Sequence, residues 1–267
     1  MTPGRRIAVV LAAGKGKRMR SPLPKVLHRA AGRPLLSWVL DAARGAGCER
    51  LLVVVGYGAE EVRAAFSSAA DVAWVLQEEQ RGTGDALARA EPALAALGID
   101  RATLLVLSGD VPLVSPATLD ALAAAMEGAP GGPRPAWGAM AVADLDDPGS
   151  LGRVVATPAG ALARIVEAAD ATAEELAIRR VNAGIYALPA PETFRYLRGL
   201  STANAQGELY LTDALTAATA DGREIRLVAL ADPAEAWGVN QPDELDRVDR
   251  RLVEREGSER PAGHPTE

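Results

Sequence analysis

A turn near the start of the chain concentrates both glycine and positive charge. The apolar run from Ile7 to Ala12 breaks into Ala13-Gly14-Lys15-Gly16-Lys17-Arg18-Met19 and continues to Pro22-Leu23-Pro24-Lys25. Backbone N–H groups at Gly14 to Lys17 can come close to an anion because glycine has no Cβ in the way, and a concavity of such amides binds phosphate oxygens. Lys15, Lys17, Arg18 and Lys25 add full charges; Arg18 can grip two oxygens at once, and Lys25 acts as a point charge. Pro22 and Pro24 restrict the backbone ahead of Lys25, so its side chain starts from a defined place. The same residues would also suit a plain solvated basic turn. Two familiar phosphate loops do not fit. The Walker pattern needs a second glycine five positions after the first, then Lys and Ser or Thr, where this chain has Met19 and Arg20-Ser21. The dinucleotide pattern G-x-G-x-x-G fits Gly14 and Gly16 but meets Met19 at its third glycine, and the next apolar run leads into Gly56-Tyr57-Gly58 without an acid to grip a ribose.

Other polar groups punctuate later apolar runs. The run Thr103 to Leu107 ends in Ser108-Gly109-Asp110-Val111-Pro112, which places a carboxylate just past a strand's carboxyl end, the edge where open α/β sheets bind ligands. A triphosphate arrives with Mg²⁺, which takes only one or two protein oxygens; Asp110 suits that role as well as it suits a helix cap before Pro112. Gln77 opens the stretch Gln77-Glu78-Glu79-Gln80-Arg81-Gly82-Thr83-Gly84-Asp85. Its amide matches the edge of a nucleobase, and Gly82 and Gly84 allow close approach of a ring, while Thr83 or Asp85 could simply cap the following helix. Only two histidines are present, His28 and His264, and no Ser-His-Asp or Cys-His set can be assembled. An attacking phosphate is already an anion at neutral pH and needs positioning and charge neutralisation rather than a proton acceptor.

These groups need a scaffold. Apolar runs at 7–12, 51–56, 72–76 and 103–107 predict strands, and residues 35–45, 60–65, 84–96 and 116–126 predict helices. Their alternation implies βαβ units in a mainly parallel sheet. The cluster 128–135 is rich in Gly and Pro and predicts a surface loop before a strand at 136–143. The pattern then becomes β-rich: strands at 153–156 and 162–167 flank Thr157-Pro158-Ala159-Gly160, a hairpin signal, and another strand is predicted at 181–188. Helices at 191–199 and 209–220, a strand at 224–229 and a helix at 242–254 follow. The expected organisation is one continuous domain over 1–256, with a disordered polar tail at 257–267.

Composition narrows the class. The chain of 267 residues carries a formal net charge of −6, and all three of its lysines lie in the first 25 positions, a local concentration that fits a compact anion better than nucleic acid. Cys48 is the only cysteine, so an internal disulfide framework and a multi-cysteine zinc site are excluded, and a reducing cytoplasm is the expected location. No apolar run approaches the roughly 20 residues that cross a bilayer, so no membrane partner is expected.

The segments LAAGKGKRM, PLPKVLH, QEEQRGTGDA, LSGDVPL, GRVV, IVEAADAT, VNAGIYA, NAQGELYLTDAL and WGVNQPDEL occur in this order from Ile7 to Asp249. Together they resemble the sugar-phosphate nucleotidyltransferases, and within them the uridylyltransferase half of the bacterial bifunctional N-acetylglucosamine-1-phosphate uridylyltransferases. The resemblance implies an α/β fold with a Rossmann-like, mixed and mainly parallel sheet flanked by helices, its nucleotide-binding part at about 1–127 joined to a smaller β-rich sugar-binding part at about 136–240. It implies that Leu11, Ala12, Ala13 and Gly14, with Gln77 and Gly82, hold uridine, that Arg18 and Lys25 hold the triphosphate, and that Asp110 and Asn240 hold Mg²⁺. It assigns the sugar to Gly109, Gly152, Glu167, Asn182 and Asn240, with Thr83 nearby. The implied substrates are UTP and N-acetylglucosamine 1-phosphate, and the implied products are UDP-N-acetylglucosamine, a cell-wall precursor, and pyrophosphate.

Three departures from the family pattern fall near the sugar: Ser108 in place of an aromatic residue, Ser150-Leu151-Gly152-Arg153 in place of Gly-Tyr-Gly-Arg, and Ala168-Ala169 after Glu167. The family's second half, a left-handed β-helix that transfers acetyl groups and builds a trimer, has no counterpart in the sequence; neither acetyl transfer nor that trimer is expected. Alternatives that the residues leave open are a sister activity with GTP or CTP as donor, and a nucleotide-sugar binder without turnover.

Overall fold

The computed structural model describes residues 5–128 and 134–259. The strands, in chain order, are β1 (Arg6–Ala12), β2 (Arg29–Ala30), β3 (Arg33–Pro34), β4 (Arg50–Val55), β5 (Val72–Leu76), β6 (Ala102–Ser108), β7 (Gly138–Asp144), β8 (Arg153–Ala156), β9 (Leu162–Val166), β10 (Arg180–Ala190) and β11 (Ile225–Ala229). The helices are α1 (Leu35–Gly45), α2 (Ala59–Ala65), α3 (Thr83–Ala88), α4 (Ala90–Ala96), α5 (Pro116–Glu127), α6 (Ala173–Leu176), α7 (Glu192–Leu197), α8 (Leu211–Ala220) and α9 (Pro242–Glu259).

Apolar residues occupy every position from Ile7 to Val10 and from Leu51 to Val55, as strands covered on both faces require. The main sheet runs β11-β7-β10-β6-β1-β4-β5, with β8 and β9 attached through β10. β1 pairs in parallel with β4 and β6, β4 with β5, and β7 with β11, while β10 runs antiparallel to both β6 and β7. One sheet therefore takes strands from both predicted halves. Alternate side chains of β1 enter opposite cores: Ala8 and Val10 join Leu36, Val39, Leu40, Leu119 and Leu122 on one face, and Ile7 and Val9 join Leu87, Leu94, Phe194, Leu211 and Leu215 on the other. A third cluster packs Met19, Leu35, Trp38 and Leu113 against Val239, Val248 and Leu252, which ties the segment after β1 to α9.

The mixed, mainly parallel sheet flanked by helices is as the sequence predicts, with local corrections. The helix predicted over 84–96 is two helices meeting at Arg89. Pro92 lacks an N–H and its ring crowds the Ala88 carbonyl four residues earlier, which disfavours one continuous helix across this point. The last helix runs on through Glu259, so residues 257–259 are helical rather than part of a tail; a single glycine costs a helix only about 1 kcal/mol. Residues 129–133 of the predicted loop and 260–267 of the predicted tail lie outside the described residues. No helix among the described residues is long and apolar enough to cross a membrane.

Burial pushes the Cys48 thiol up to about 12. At pH 8 the folded protein should react with a disulfide reagent such as DTNB more than about a hundredfold more slowly than free cysteine, and at the free rate once denatured, because only the thiolate attacks. Equal rates in both states would remove the barrier assigned to this environment.

Candidate active site

The register of the parallel strands brings the chemistry together. Ala12 is opposite Val55 and Leu11 opposite Ser108, so the turns after β1, β4 and β6 emerge side by side at the sheet's carboxyl edge. Gly109 donates its N–H to the Leu11 carbonyl at 2.9 Å, and Tyr57 donates to that of Ala13 at 3.2 Å. Leu11 is half-buried, Ala12 and Ala13 are buried, and Gly14 is exposed, with open space where a Cβ would point. Beyond it a short 3₁₀ turn, Lys17–Met19, buries Met19 while Lys17 and Arg18 face solvent. Lys15, Lys17, Arg18 and Arg20 have no ion-pair partner among the described residues, so the loop's charge is available to an external anion.

Lys25 is placed by close packing. It opens a second 3₁₀ turn after Pro24, and three glycines from three turns press on the segment. A Cβ at Gly58 would sit 2.3 Å from Pro24 Cγ, one at Gly16 would sit 2.9 Å from Lys25 Cβ, and one at Gly109 would sit 3.1 Å from Val26 Cγ1. Held in this slot, the Lys25 ammonium donates to Asp110 Oδ2 and, at 3.0 Å, to Asn240 Oδ1. Asn240 is fixed from behind: the Val239 N–H donates to the Asp110 carbonyl at 2.9 Å, and Glu244 Oε2 accepts from the N–H groups of Asn240 at 2.6 Å and Gln241 at 3.1 Å. Asp110 and Asn240 thus aim one oxygen each at a single cation. Hard oxygen donors of this kind suit Mg²⁺, which keeps most of its shell for water and phosphate; the donor set fits the metal that the resemblance implies, and the ammonium shows that the position accepts positive charge.

A second group of polar residues lies along β8–β10 and α8. Glu167, half-buried after β9, accepts from the Thr212 hydroxyl at 2.8 Å. Gly152 lies beside this carboxylate: a Cβ there would be 3.4 Å from Glu167 Oε2, in van der Waals contact with it. Burial is the main force raising the Glu167 carboxyl above its usual range, the Thr212 bond opposes it, and Asp213, Asp170 and Glu208 add to it. Asn182 sits where the β7–β10 register shifts. Its amide oxygen accepts from the Gly184 N–H at 3.0 Å and its Nδ2 donates to the buried Tyr186 hydroxyl at 2.7 Å.

Gln77 is buried after β5, and its Nε2 donates to Asp85 Oδ2 at 2.8 Å and to the Gly82 carbonyl at 3.1 Å. This fixes the amide's orientation and leaves its oxygen as the unspent acceptor. The space opposite Gly82 and Gly84 is taken by the chain itself: a Cβ on either would lie 2.5 Å and 2.9 Å, respectively, from the Leu209 carbonyl. Leu209 donates its N–H to the Arg81 carbonyl at 2.7 Å and accepts from Gly84 at 2.8 Å. Thr83 does not cap α3; its hydroxyl oxygen accepts from the Leu211 N–H at 3.0 Å, and Gly82 holds the cap position.

A model of the MobA-like NTP transferase domain matches residues 8–196, more than half of the chain. The chain belongs to this family. It is 48% identical over 248 residues to the bifunctional protein GlmU of Burkholderia thailandensis, covering 92% of this chain and 52% of the relative, and 48% identical over 246 residues to that of Burkholderia mallei strain SAVP1, covering 91% and 52%. The chain spans about half the length of the curated relatives it matches. Two solved structures share its fold at low identity. One is the inositol-1-phosphate CTP transferase from T. maritima, at 16% identity and a TM-score of 0.70, covering 94% of this chain and 97% of the other. The second is a UDP-glucose pyrophosphorylase complexed with UDP-glucose, at 17% identity and a TM-score of 0.73, covering 94% and 99%.

In this member of the family several supporting residues carry no motif signal. Arg153 is only 3% exposed and has no carboxylate partner among the described residues. Its guanidinium donates to the carbonyls of Leu151, Gly149 (3.0 Å) and Leu176 (3.4 Å), which clamps the turn that presents Gly152. Thr212 acts on Glu167 from a distant helix, while Tyr186 and Glu244 each act on a residue four positions earlier, Asn182 and Asn240. The signal for Glu244 is its spacing, four residues after Asn240 at a helix start, in the manner of a capping acid; Arg153 and Tyr186 read from sequence as ordinary strand residues.

Gly58→Ala should lower the unfolding free energy by about 1–3 kcal/mol, because it combines a clash with a left-handed backbone at φ 63°. Turnover should fall with it as Pro24 and Lys25 are pushed aside. Urea unfolding and a pyrophosphate-release assay would check both, and a neutral result would show that the slot does not place Lys25.

Proposed function

We propose that this chain is a uridylyltransferase that joins UTP and N-acetylglucosamine 1-phosphate to give UDP-N-acetylglucosamine and pyrophosphate, in the cytoplasm and with Mg²⁺. The carrying observation is the meeting of Lys25, Asp110 and Asn240 at the mouth of a glycine loop whose own cations are unpaired. Support for the nucleotide and sugar comes from the 48% identity to the GlmU proteins.

In this reading the Gly14–Lys17 amides, Arg18 and Lys25 bind the triphosphate, and the free oxygen of Gln77 accepts from the base. Glu167 accepts from sugar hydroxyls, with Gly109, Gly152, Asn182 and Thr83 around the sugar. An oxygen of the sugar phosphate forms a bond to the α-phosphorus while the bond from the α-phosphorus to the bridging oxygen breaks and pyrophosphate leaves. The attacking oxygen is already anionic, so positioning and charge neutralisation carry the reaction. Magnesium held by Asp110 and Asn240 would neutralise phosphate charge.

Pyrophosphate release measured with each of four nucleoside triphosphates and a set of sugar phosphates tests the assignment; release only with CTP or GTP would move the chain to a sister activity. Asp110→Ala should abolish metal-dependent turnover with a smaller effect on uridine binding, and Lys25→Met should slow turnover by about 10²–10³-fold, the scale for one stabilising group lost from a charged transition state.

A pH profile tests Glu167. Only its ionised form accepts hydrogen bonds through both oxygens, and the Thr212 hydroxyl favours that form. Thr212→Val removes this help and raises the carboxyl further, so the acid-side rise in KM for the sugar phosphate should move to higher pH, with the UTP profile unchanged. Superimposable profiles would take Glu167 out of sugar binding.

A further inference from the structure

The oxygens best placed for a metal already hold a cation, and the chain supplies it. Lys25 Nζ donates to both Asp110 Oδ2 and Asn240 Oδ1, and the Lys25 and Asp110 side chains are only 15% and 17% exposed. We infer that Lys25 is a resident counter-ion: its ammonium and a divalent cation occupy the Asp110–Asn240 position in turn, and metal entry releases Lys25 toward the triphosphate. This inference rests on the metal reading of Asp110 and Asn240 given above.

Two cations cannot share these oxygens. A divalent ion ligated by Asp110 and Asn240 needs the same lone pairs that the ammonium now uses, and the two positive charges would repel across a short gap in a partly buried site. Lysine can vacate such a position because its charge sits at the end of a flexible four-carbon stem. Only the far part of the stem is free to swing, since the Gly16 turn packs against its Cβ. Without a ligand, the pair keeps the enclosed Asp110 carboxylate from standing uncompensated. With a metal-bound triphosphate, the ion takes over that task and the phosphates offer the ammonium a new anion. The ion-pair geometry thus sets an exchange: the protein alone binds metal weakly, and the triphosphate removes the penalty by accepting Lys25.

The test uses Mn²⁺ as the probe, with no nucleotide, on the full chain, its free concentration followed by electron paramagnetic resonance. Lys25→Met should bind Mn²⁺ at least tenfold more tightly than the unaltered protein. Arg18→Met, which removes an exposed cation of the same loop that touches neither oxygen, should change affinity less than threefold. Asp110→Asn introduced into Lys25→Met should abolish the gain. If Lys25→Met binds no more tightly, or Arg18→Met tightens binding equally, the inference fails. Should Lys25→Met fail to tighten while Asp110→Asn still weakens binding, the metal site survives and the exchange does not; should Asp110→Asn have no effect in either background, the metal reading fails as well. A second readout needs no variant: reductive methylation of Lys25, followed by mass spectrometry, should speed up several-fold at a Mg²⁺ concentration that saturates the nucleotide-free site, and an unchanged rate at saturation would overturn the exchange.

Discussion

A single ammonium group ties together parts of the chain that lie far apart in sequence. Asp110 is 85 positions from Lys25 and Asn240 is 215 positions from it, and each arrives by a different device. The β1–β6 register delivers Asp110, a slot of three glycines delivers Lys25, and the capped start of α9 delivers Asn240. Charged groups that meet this way need their backbones fixed in advance, since attraction between partly solvated ions is too weak to organise three segments by itself. The packing of Met19 and Leu113 against Val239 and Val248 supplies that fixing from the apolar side.

The reversed strand matters as much as the parallel ones. Four parallel strands, β6, β1, β4 and β5, point their carboxyl ends at one edge, where loops can gather. Because β10 runs the other way, its opening residues reach that same edge, and the register shift after Asn182 turns this amide against Gly184 and Tyr186. The polar groups of the second half therefore face those of the first without a separate domain to carry them.

Much of this could be read from the residues. Uninterrupted apolar runs bounded by glycine marked β1, β4 and β6, and the α1 bounds are those predicted from its periodicity. The cationic glycine loop and Asp110 were visible because each ends an apolar run. Less was visible where structure depends on partners distant in sequence. The small β2–β3 hairpin turns on Ala31 and Gly32, both with positive φ, and alanine is no signal for that conformation. The short α6 did have a signal, Thr172 three residues before Glu175, a capping box that the structure forms in full. Arg153 is a different case: nothing in a run such as Gly152-Arg153-Val154-Val155 says that a guanidinium will be buried on three carbonyls.

The ladder around Leu209 has a consequence for how such a protein can change. Beside Gln77, the backbone of Arg81 and Gly84 is bonded to Leu209, the Thr83 hydroxyl accepts from the Leu211 N–H, and one residue further on Thr212 holds Glu167. Pockets read as recognising the base and the sugar thus hang from one short stretch of main chain. Retuning preference for one partner molecule by moving this main chain would shift the grip on the other, so evolution toward a new pair of substrates by that route would travel through linked, not independent, substitutions.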